Sequence, residues 1–566
     1  MKNFLKRNKR SVIVVSIVFL SLGFFGFADN NFKILKSLDI YFTLFKELNT
    51  FYVDEVDPEK LVKESIDGML ENLDPYTVFI PESEMDDYKF MTTGEYGGVG
   101  ALIKKRGNYV MISDPYENLP AQKAGVLAGD VILEIDGKSA EKKRIDEVST
   151  MLKGTPGTTV ELLLRRDSTQ APIKISLKRE KIVIPNVPYH AMISDSIGYL
   201  RLSGFTTDAS REVRNAVIDL KKQNAKALIL DLRGNPGGLL NEAISIVNLF
   251  IPKNKEVVST RGKVKQWDKI YLTTDQPLDT VIPITVLVNR GSASASEIVS
   301  GSLQDLDRAV IVGQRTFGKG LVQSTRPLSY NTQLKVTTAK YYIPSGRCIQ
   351  ALDYSHRNED GSVGHIPDSL ITAFKTKNKR TVYDGGGINP DIVLEPESLS
   401  SITYSLYARD YIFDFVSNYT KKHQKPETTS SVKVNDQIFG DFLKFIENKD
   451  YDYKTKSEDQ LEKLVEQAKK ENNFTESKEE FDLLAKKLGH DKNRDLKKYK
   501  NEIVEVLEEE ISSRYFYQKG RIMKTLEYDN ELVKAVDVLK NQNEYKKLLG
   551  YNVLVATTKP IKSKRK

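Results

Sequence analysis

The most informative segment of the chain is Asn289-Arg290-Gly291-Ser292-Ala293-Ser294-Ala295-Ser296-Glu297-Ile298. It follows an apolar stretch, residues 281–288, that is typical of a buried strand, and it leads into apolar residues at helical spacing. A strand-to-helix turn of this kind points a serine hydroxyl at a helix N-terminus, where free N–H groups and the helix dipole favour developing negative charge. That arrangement suits acyl transfer, although serines at such a turn can equally be simple helix caps.

A second segment, Thr316-Phe317-Gly318-Lys319-Gly320-Leu321-Val322-Gln323, places a lysine between two glycines. Apolar neighbours would desolvate the ammonium group of Lys319 and let it serve as a general base. A third segment, Asp231-Leu232-Arg233-Gly234-Asn235-Pro236-Gly237-Gly238, is another strand-to-helix turn whose glycines can expose backbone amides as an oxyanion hole. A phosphate-binding loop is the alternative for this third segment, but it lacks the lysine and hydroxyl residue of a P-loop.

Changes in composition and hydrophobic pattern along the 566 residues predict several domains. Glycine-punctuated short strands follow residue 94, strands alternate with helices in the α/β manner from about residue 195, and a Lys/Glu-rich helical region follows residue 400. The predicted divisions are an N-terminal signal or anchor at 1–28, a helical region at 30–90, a small β domain at 91–180, a core at 190–398, and a charged, mainly helical region at 400–566.

Composition excludes several classes of function. The net charge is +8, but ten positive charges lie within the first ten and last eight residues, which leaves −2 for the rest and gives no sign of nucleic-acid binding. A single cysteine, Cys348, excludes an internal disulfide framework and is expected to be a packed thiol. The five histidines lack ligand-like spacing, so neither a metal nor a cofactor is expected.

The N-terminus carries the pattern of an export signal. Five basic residues precede the apolar stretch 12–28, and Gly26-Phe27-Ala28 would serve as a cleavage site. The stretch is also barely long enough to span a bilayer, so it predicts either a cleaved signal peptide or an N-terminal membrane anchor. Both place the body outside the cytoplasm, in a bacterial periplasm or at the outer face of the inner membrane.

Together the three segments around Ser294, Lys319 and Gly237 resemble the C-terminal processing peptidases, also called tail-specific proteases. The resemblance covers about residues 35–395 and implies a multi-domain α/β protein with a crotonase-like peptidase core. It implies a nucleophile at Ser294, a general base at Lys319, an amide at Gln323 that orients the lysine, and an oxyanion hole formed by Ala295 with Gly237 or Gly238. No histidine lies near either motif, which fits a Ser–Lys dyad, and Ser292 and Ser296 are then turn and cap residues.

The small β domain resembles a PDZ domain inserted before the catalytic core. Its Gly97-Gly98-Val99-Gly100 segment matches the loop whose backbone N–H groups bind a substrate's C-terminal carboxylate, beside a strand that pairs with the peptide. For this loop alone, a glycine-rich β-turn is a competing interpretation. The sequence departs from this resemblance at Lys153, where relatives often have arginine.

These observations predict an exported serine endopeptidase that cleaves proteins with apolar tails near their C-termini, without a cofactor. An alternative is a PDZ-bearing scaffold with a degenerate core that binds exported proteins without cutting them. A third hypothesis is a carrier of hydrophobic ligands built on a core related to that of the peptidases. The sequence does not define the oligomeric state or the role of residues 400–566.

Overall fold

The structure is a computed structural model, and it describes residues 32–166, 171–358 and 360–551. The predicted signal or anchor at 1–28 and the basic C-terminal tail therefore lie outside the described residues. The chain divides into two compact units, residues 1–79 and 80–566. None of the helices within the described ranges is long and apolar enough to cross a membrane.

The first unit is helical in its described part. Residues 32–51 form α1, and Pro58–Glu71 forms α2, whose N-terminus is capped by the side chain of Asp57. Asp57 Oδ1 accepts the N–H groups of Glu59 and Lys60, as expected of an acidic N-cap. A short strand, β1 (Val78–Ile80), spans the boundary between the units.

The second unit begins with helix α3 (Met85–Thr93) and the small β domain. The strands of this domain are β2 (Glu95–Gly98), β3 (Ala101–Arg106), β4 (Tyr109–Pro115), β5 (Val131–Ile135), β6 (Lys138–Ser139), β7 (Thr159–Arg165), β8 (Ile173–Lys178) and β9 (Glu180–Val183). Its helices are α4 (Pro120–Lys123) and α5 (Ile145–Leu152). Strands β3, β4, β5, β7 and β8 form an antiparallel sheet in that order, while β2 pairs with β9. In β7 the alternate residues Val160, Leu162 and Leu164 are buried, which gives the domain its core.

A larger α/β core follows. Its strands are β10 (Tyr189–Met192), β11 (Ile197–Arg201), β12 (Ala227–Asp231), β13 (Glu256–Gly262), β14 (Lys269–Leu272), β15 (Ile284–Val288), β16 (Val310–Gly313), β17 (Leu321–Pro327), β18 (Gln333–Tyr342), β19 (Leu352–Arg357), β20 (Val363–His365), β21 (Ala373–Lys375), β22 (Thr381–Tyr383) and β23 (Ile392–Val393). Its helices are α6 (Ala209–Lys222), α7 (Leu240–Asn248) and α8 (Ala295–Asp305). The main sheet has the order β10-β11-β12-β15-β16-β23 and is parallel except for β10. A second, antiparallel sheet joins β17, β18, β13 and β14.

Beyond the core the chain is helical. The helices are α9 (Ser401–Ala408), α10 (Tyr411–Lys422), α11 (Asp436–Ile446), α12 (Lys456–Lys470), α13 (Lys478–Leu488), α14 (Lys492–Lys498), α15 (Lys500–Leu526), α16 (Asn530–Lys540) and α17 (Gln542–Leu548). Helices α9 to α11, α14 and α15 share a core of their own. The last two helices return to the main sheet.

Helices α16 and α17 cover one face of that sheet, and α6 to α8 cover the other. Leu532, Val538 and Tyr545 pack with the main-sheet residues Tyr199 and Leu287 in one buried cluster. Strands β12 and β15 are consequently buried along their whole length, as parallel strands covered on both faces should be. The final part of the region 400–566 is therefore built into the core rather than into a separate helical domain.

Candidate active site

Three loops lie at one edge of the main sheet, because each follows one of three adjacent parallel strands. The glycine loop (residues 232–238) follows β12, the serine loop (residues 289–294) follows β15, and the lysine loop (residues 314–320) follows β16. The crevice at the carboxyl ends of parallel strands is the usual place for a site in an open α/β sheet.

Ser294 stands between the end of the serine loop and the first turn of α8. Its backbone has φ 55° and ψ −111°, a conformation that residues other than glycine rarely adopt and that is commonly found where function demands it. Gly237 is pressed against this turn: a Cβ there would lie 2.7 Å from the carbonyl oxygen of Ala293 and 2.8 Å from the nitrogen of Ala295. Only glycine lets the two loops approach this closely.

Ser292 and Ser296 tie the serine loop to the glycine loop. The hydroxyl of Ser292 donates to the carbonyl of Leu232 at 2.8 Å, and that of Ser296 donates to the carbonyl of Asn235 at 2.9 Å. Both side chains are fully buried. Their hydroxyls are thus engaged with backbone carbonyls of the neighbouring loop.

Glu297 joins the serine loop to the lysine loop. Its carboxylate is fully buried and accepts four hydrogen bonds: from the N–H groups of Ser294 (2.8 Å), Gly318 (2.7 Å) and Lys319 (2.8 Å), and from the hydroxyl of Thr316 (2.6 Å). Burial raises the pKa of this carboxyl, although the four donors oppose that shift. Glu297 lies in the segment 289–298, and no role was predicted for it from the sequence. Its position three residues after Ser294 is the spacing of a capping box, which could have identified it.

The lysine loop is anchored on its outer side as well. The carbonyl of Gly318 accepts the N–H of Ala351 at 2.9 Å, and the N–H of Gly320 donates to Oε1 of Gln350 at 2.8 Å. The hydroxyl of Tyr341 donates to the carbonyl of Lys319. The backbone of half-buried Lys319 is thereby held on both sides.

Gln323 lies on β17, four residues beyond Lys319 and next to an irregularity in the pairing of β17 with β18. Its Nε2 donates to the hydroxyl of Thr337 at 3.1 Å. The structure thus places Gln323 on the strand that leaves the lysine loop, with its amide directed to the adjacent strand.

The candidate oxyanion donors differ in their existing bonds. The N–H of Gly237 donates to Oδ1 of Asn235 at 2.9 Å, and Asn235 is itself held by the carbonyl of Leu202. Within the described ranges, the N–H groups of Gly238 and Ala295 have no acceptor. The two amides available at the Ser294 turn are therefore those of Gly238 and Ala295.

The glycine segment of the small β domain is part strand and part loop. Gly97 and Gly98 belong to β2, whereas the carbonyls of Val99 and Gly100 accept the N–H groups of Ala121 and Tyr116. No acceptor for the N–H groups of Val99 and Gly100 occurs in the described part of the chain.

An apolar groove of about 220 Å³ lies beside this segment and is lined by residues of β3, α5 and α3. Its lining includes Phe90, Tyr96, Leu102, Ile103 and Leu152. At the rim, Lys153 forms an ion pair with Asp87 of α3.

The structure also describes the surroundings of Cys348 and the grouping of residues that could bind a metal. Cys348 is a free thiol, and burial raises its pKa, which reduces its reactivity. Across the described residues, no three His, Cys, Asp or Glu side chains are grouped so that they could hold a metal ion.

Comparison with known proteins yields three family matches along the chain. The family described as "Peptidase family S41" matches residues 196–355, the PDZ domain family matches residues 111–166, and "Probable PDZ-protease, C-terminal helical domain" matches residues 402–539. A carboxy-terminal-processing protease of Bartonella bacilliformis is 38% identical over 358 residues, which are 61% of this chain and 81% of the relative. The chain belongs to the carboxy-terminal-processing proteases.

Two further similar proteins are a curated relative and a solved structure. A probable CtpA-like serine protease of Staphylococcus aureus strain COL is 31% identical over 80% of this chain and 89% of its own length. Among solved structures, the photosystem II D1 C-terminal processing protease is 28% identical and matches 63% of this chain and 87% of its own, with a TM-score of 0.36. The predictions of the family, of a serine-type peptidase and of a multi-domain α/β fold with a PDZ domain are confirmed.

Proposed function

We propose that this protease is exported and cleaves proteins near their C-termini with a Ser294–Lys319 dyad. The observation that most supports the dyad is the position of the Glu297 carboxylate. It accepts the backbone N–H groups of Ser294 and Lys319, each at 2.8 Å. One buried acceptor thus fixes the spacing between the loop of the nucleophile and the loop of the base. Fixed geometry of this kind supplies much of the rate enhancement in covalent catalysis.

In the proposed reaction, Oγ of Ser294 attacks the carbonyl carbon of the scissile amide and its proton passes to neutral Nζ of Lys319. The resulting oxyanion accepts hydrogen bonds from the N–H groups of Ala295 and Gly238. The C–N bond then breaks, and the lysine ammonium gives its proton to the leaving amine. Water, deprotonated by Lys319, hydrolyses the acyl-enzyme ester and regenerates the serine hydroxyl.

The bonds already made by neighbouring groups support this choice of donors. The N–H of Ser294 is used by Glu297 and that of Gly237 is used by Asn235, so neither is free to bind an oxyanion. Gln323, on the adjoining strand β17, is proposed to orient the amine of Lys319. To do so, its side-chain amide would exchange its hydrogen bond with Thr337 for one with the lysine.

Two features of the PDZ domain support the proposal that the substrate has an apolar C-terminal tail. The groove beside β3 and α5 offers apolar side chains, and the N–H groups of Val99 and Gly100 have no acceptor within the described ranges. A terminal carboxylate bound there, with the peptide added as a strand to β3, is the mode that we propose for the segment Gly97 to Gly100. Export rests on the sequence pattern at residues 1–28 alone.

The test is cleavage of a folded protein that carries an unstructured apolar tail, with the products identified by mass spectrometry. Wild type should release C-terminal fragments, whereas Ser294→Ala and Lys319→Arg should not; arginine keeps the charge but cannot act as a base. A substrate with an amidated C-terminus should be cleaved more slowly if the PDZ loop binds the carboxylate. Full activity of purified Ser294→Ala would rule out the assigned nucleophile.

A further inference from the structure

The glycine loop and the lysine loop are both contacted by the short segment that begins α16. Asp529 caps this helix by accepting the N–H of Leu532, and Glu531 lies in its first turn. Both carboxylates reach the main sheet edge that carries the catalytic loops.

Arg233, in the glycine loop, is bound by three carboxylates. Its guanidinium contacts Asp231 at 2.7 Å, Asp529 at 2.6 Å and Glu531 at 2.8 Å. Asp231 is the last residue of β12 and is fully buried, and the other partners are nearly so. Burial alone would lower the pKa of the Arg233 guanidinium, but the carboxylates of Asp231 and Asp529 outweigh it and raise that pKa. Arg233 therefore stays charged.

Glu531 also binds the lysine loop. Its Oε1 accepts Nε2 of Gln314 at 2.9 Å, while its Oε2 accepts from Arg233. The N–H of Gln314 continues the contact inward by donating to the carbonyl of Val288 at 3.0 Å. A single carboxylate of the C-terminal region thus connects the loop of the oxyanion glycine with the loop of Lys319.

These bonds act where packing is incomplete. A cavity of about 450 Å³ borders Arg233, Gly234, Asn289 and Gln314. On this side the ion pairs of Arg233 and the amide contact of Gln314 restrain the two loops. Helix α16 itself packs its buried apolar face on the main sheet, so we expect it to keep its place when the ion pairs are removed.

We propose that Arg233 is a positioning residue for the peptidase reaction, held by Asp529 and Glu531 so that Gly238 and Lys319 keep their geometry around Ser294. The inference rests on the proposed function and assigns a positioning role to part of the region 400–566. Displacing a catalytic group by about 1 Å can cost about 100-fold in rate, so modest loosening of these loops would be visible in kcat.

The first experiment removes charge without removing structure. Asp529→Asn retains a good N-cap, and Glu531→Gln is isosteric. The matched control is Glu544→Gln, which removes a carboxylate from an exposed ion pair with Lys534 on the same C-terminal helices, away from the loops. With a peptide substrate that has an apolar free C-terminus, we expect kcat to fall about 10- to 100-fold with KM changed less than about twofold in the two test variants, and no change in the control.

A second measurement does not require turnover. Hydrogen exchange followed by mass spectrometry should show faster exchange in peptides covering residues 232–238 and 314–320 of Asp529→Asn and Glu531→Gln, with the PDZ domain unchanged. Arg233→Lys should restore part of the kcat lost in Arg233→Gln, because lysine keeps a charge but not the fork that binds several carboxylates. The double variant Arg233→Gln/Asp529→Asn should lose less than the product of the two single losses, since the residues share one contact.

The outcomes separate the two claims. Wild-type kcat and unchanged loop exchange in both charge variants would overturn the positioning role while leaving the proposed function intact. A rise in KM alone would also overturn it. If the wild type cleaves no tail substrate, the proposed function fails, and the loop exchange of the variants still decides whether Asp529 and Glu531 order the two loops.

Discussion

At the scale of single residues, Gly237 is the position whose lack of a side chain allows the glycine loop to contact the Ser294 turn. It has φ +95° and no space for a Cβ beside Ser294, whereas Gly234 in the same loop has φ +68° and open space around it. Alanine at either position should cost about 1 kcal/mol of folding stability through backbone strain, but only Gly237→Ala should push the Ser294 turn out of place. We expect both variants to melt a few degrees lower, with kcat reduced about 100-fold only in Gly237→Ala. Equal kcat values would mean that the contact does not position the proposed nucleophile, Ser294.

Glu297 gives a second prediction at this scale. Glu297→Gln keeps the shape, but its NH₂ group must face two of the four donors that now point at the carboxylate. Leaving such buried donors without an acceptor costs about 1–3 kcal/mol each, so we expect a lower melting temperature and a large loss of kcat. The control is Glu242→Gln, where a single N–H, from Ser210, is bound and an amide oxygen can replace the carboxylate. Wild-type kcat in Glu297→Gln would contradict the linking role of this carboxylate.

At the scale of elements, the sequence predicted what local patterns determine. The helix predicted to follow the serine segment is α8, which begins at Ala295, because the apolar spacing that follows and the small polar residues ahead of it are both visible in the sequence. The strand predicted from Val281 begins instead at Ile284, since Val281 is exposed and Pro283 has no N–H for the sheet. The bonds from residues 316–319 to Glu297, and those from Arg233 to Asp529 and Glu531, join residues that are far apart in sequence, and no local pattern fixes such distances.

One element-scale prediction concerns pH. His490, ahead of α14, contacts Glu458 of α12 at 2.8 Å, and Glu458 and Asp452 raise its pKa. A histidine whose pKa is higher in the folded state stabilises the fold fully below its unfolded value of about 6.5, and this contribution is lost as pH rises through the folded pKa. We expect the free energy of unfolding to decrease between about pH 6 and pH 8, and the decrease to be smaller in His490→Gln. The same pH dependence in both proteins would exclude His490 as its source.

At the scale of the whole molecule, the C-terminal helices decide where the peptidase core ends. The sequence after residue 400 predicts a charged, mainly helical region, and within it α16 places an apolar face on the main sheet. The helical spacing of Leu532, Ala535 and Leu539 shows that α16 has an apolar face, but not which surface that face would cover. The covering surface is created only when the strands β11, β12, β15 and β16 have assembled.

This arrangement makes the stability of the core depend on α16, which a matched pair of variants tests. Val538 is fully buried against the sheet, whereas Val533 on the same helix is 57% exposed. Aspartate at 538 buries an unpaired charge and should cost more than about 3 kcal/mol, while aspartate at 533 should stay within about 0.5 kcal/mol of wild type. Trp267, the single tryptophan, has Arg326 of β17 stacked over its ring, so its fluorescence during urea unfolding reports the loss of this contact with the second sheet of the core. A lower midpoint for Val538→Asp alone would establish that the C-terminal helices complete the peptidase core. Equal midpoints would instead make α16 an appendage on a sheet that is stable without it.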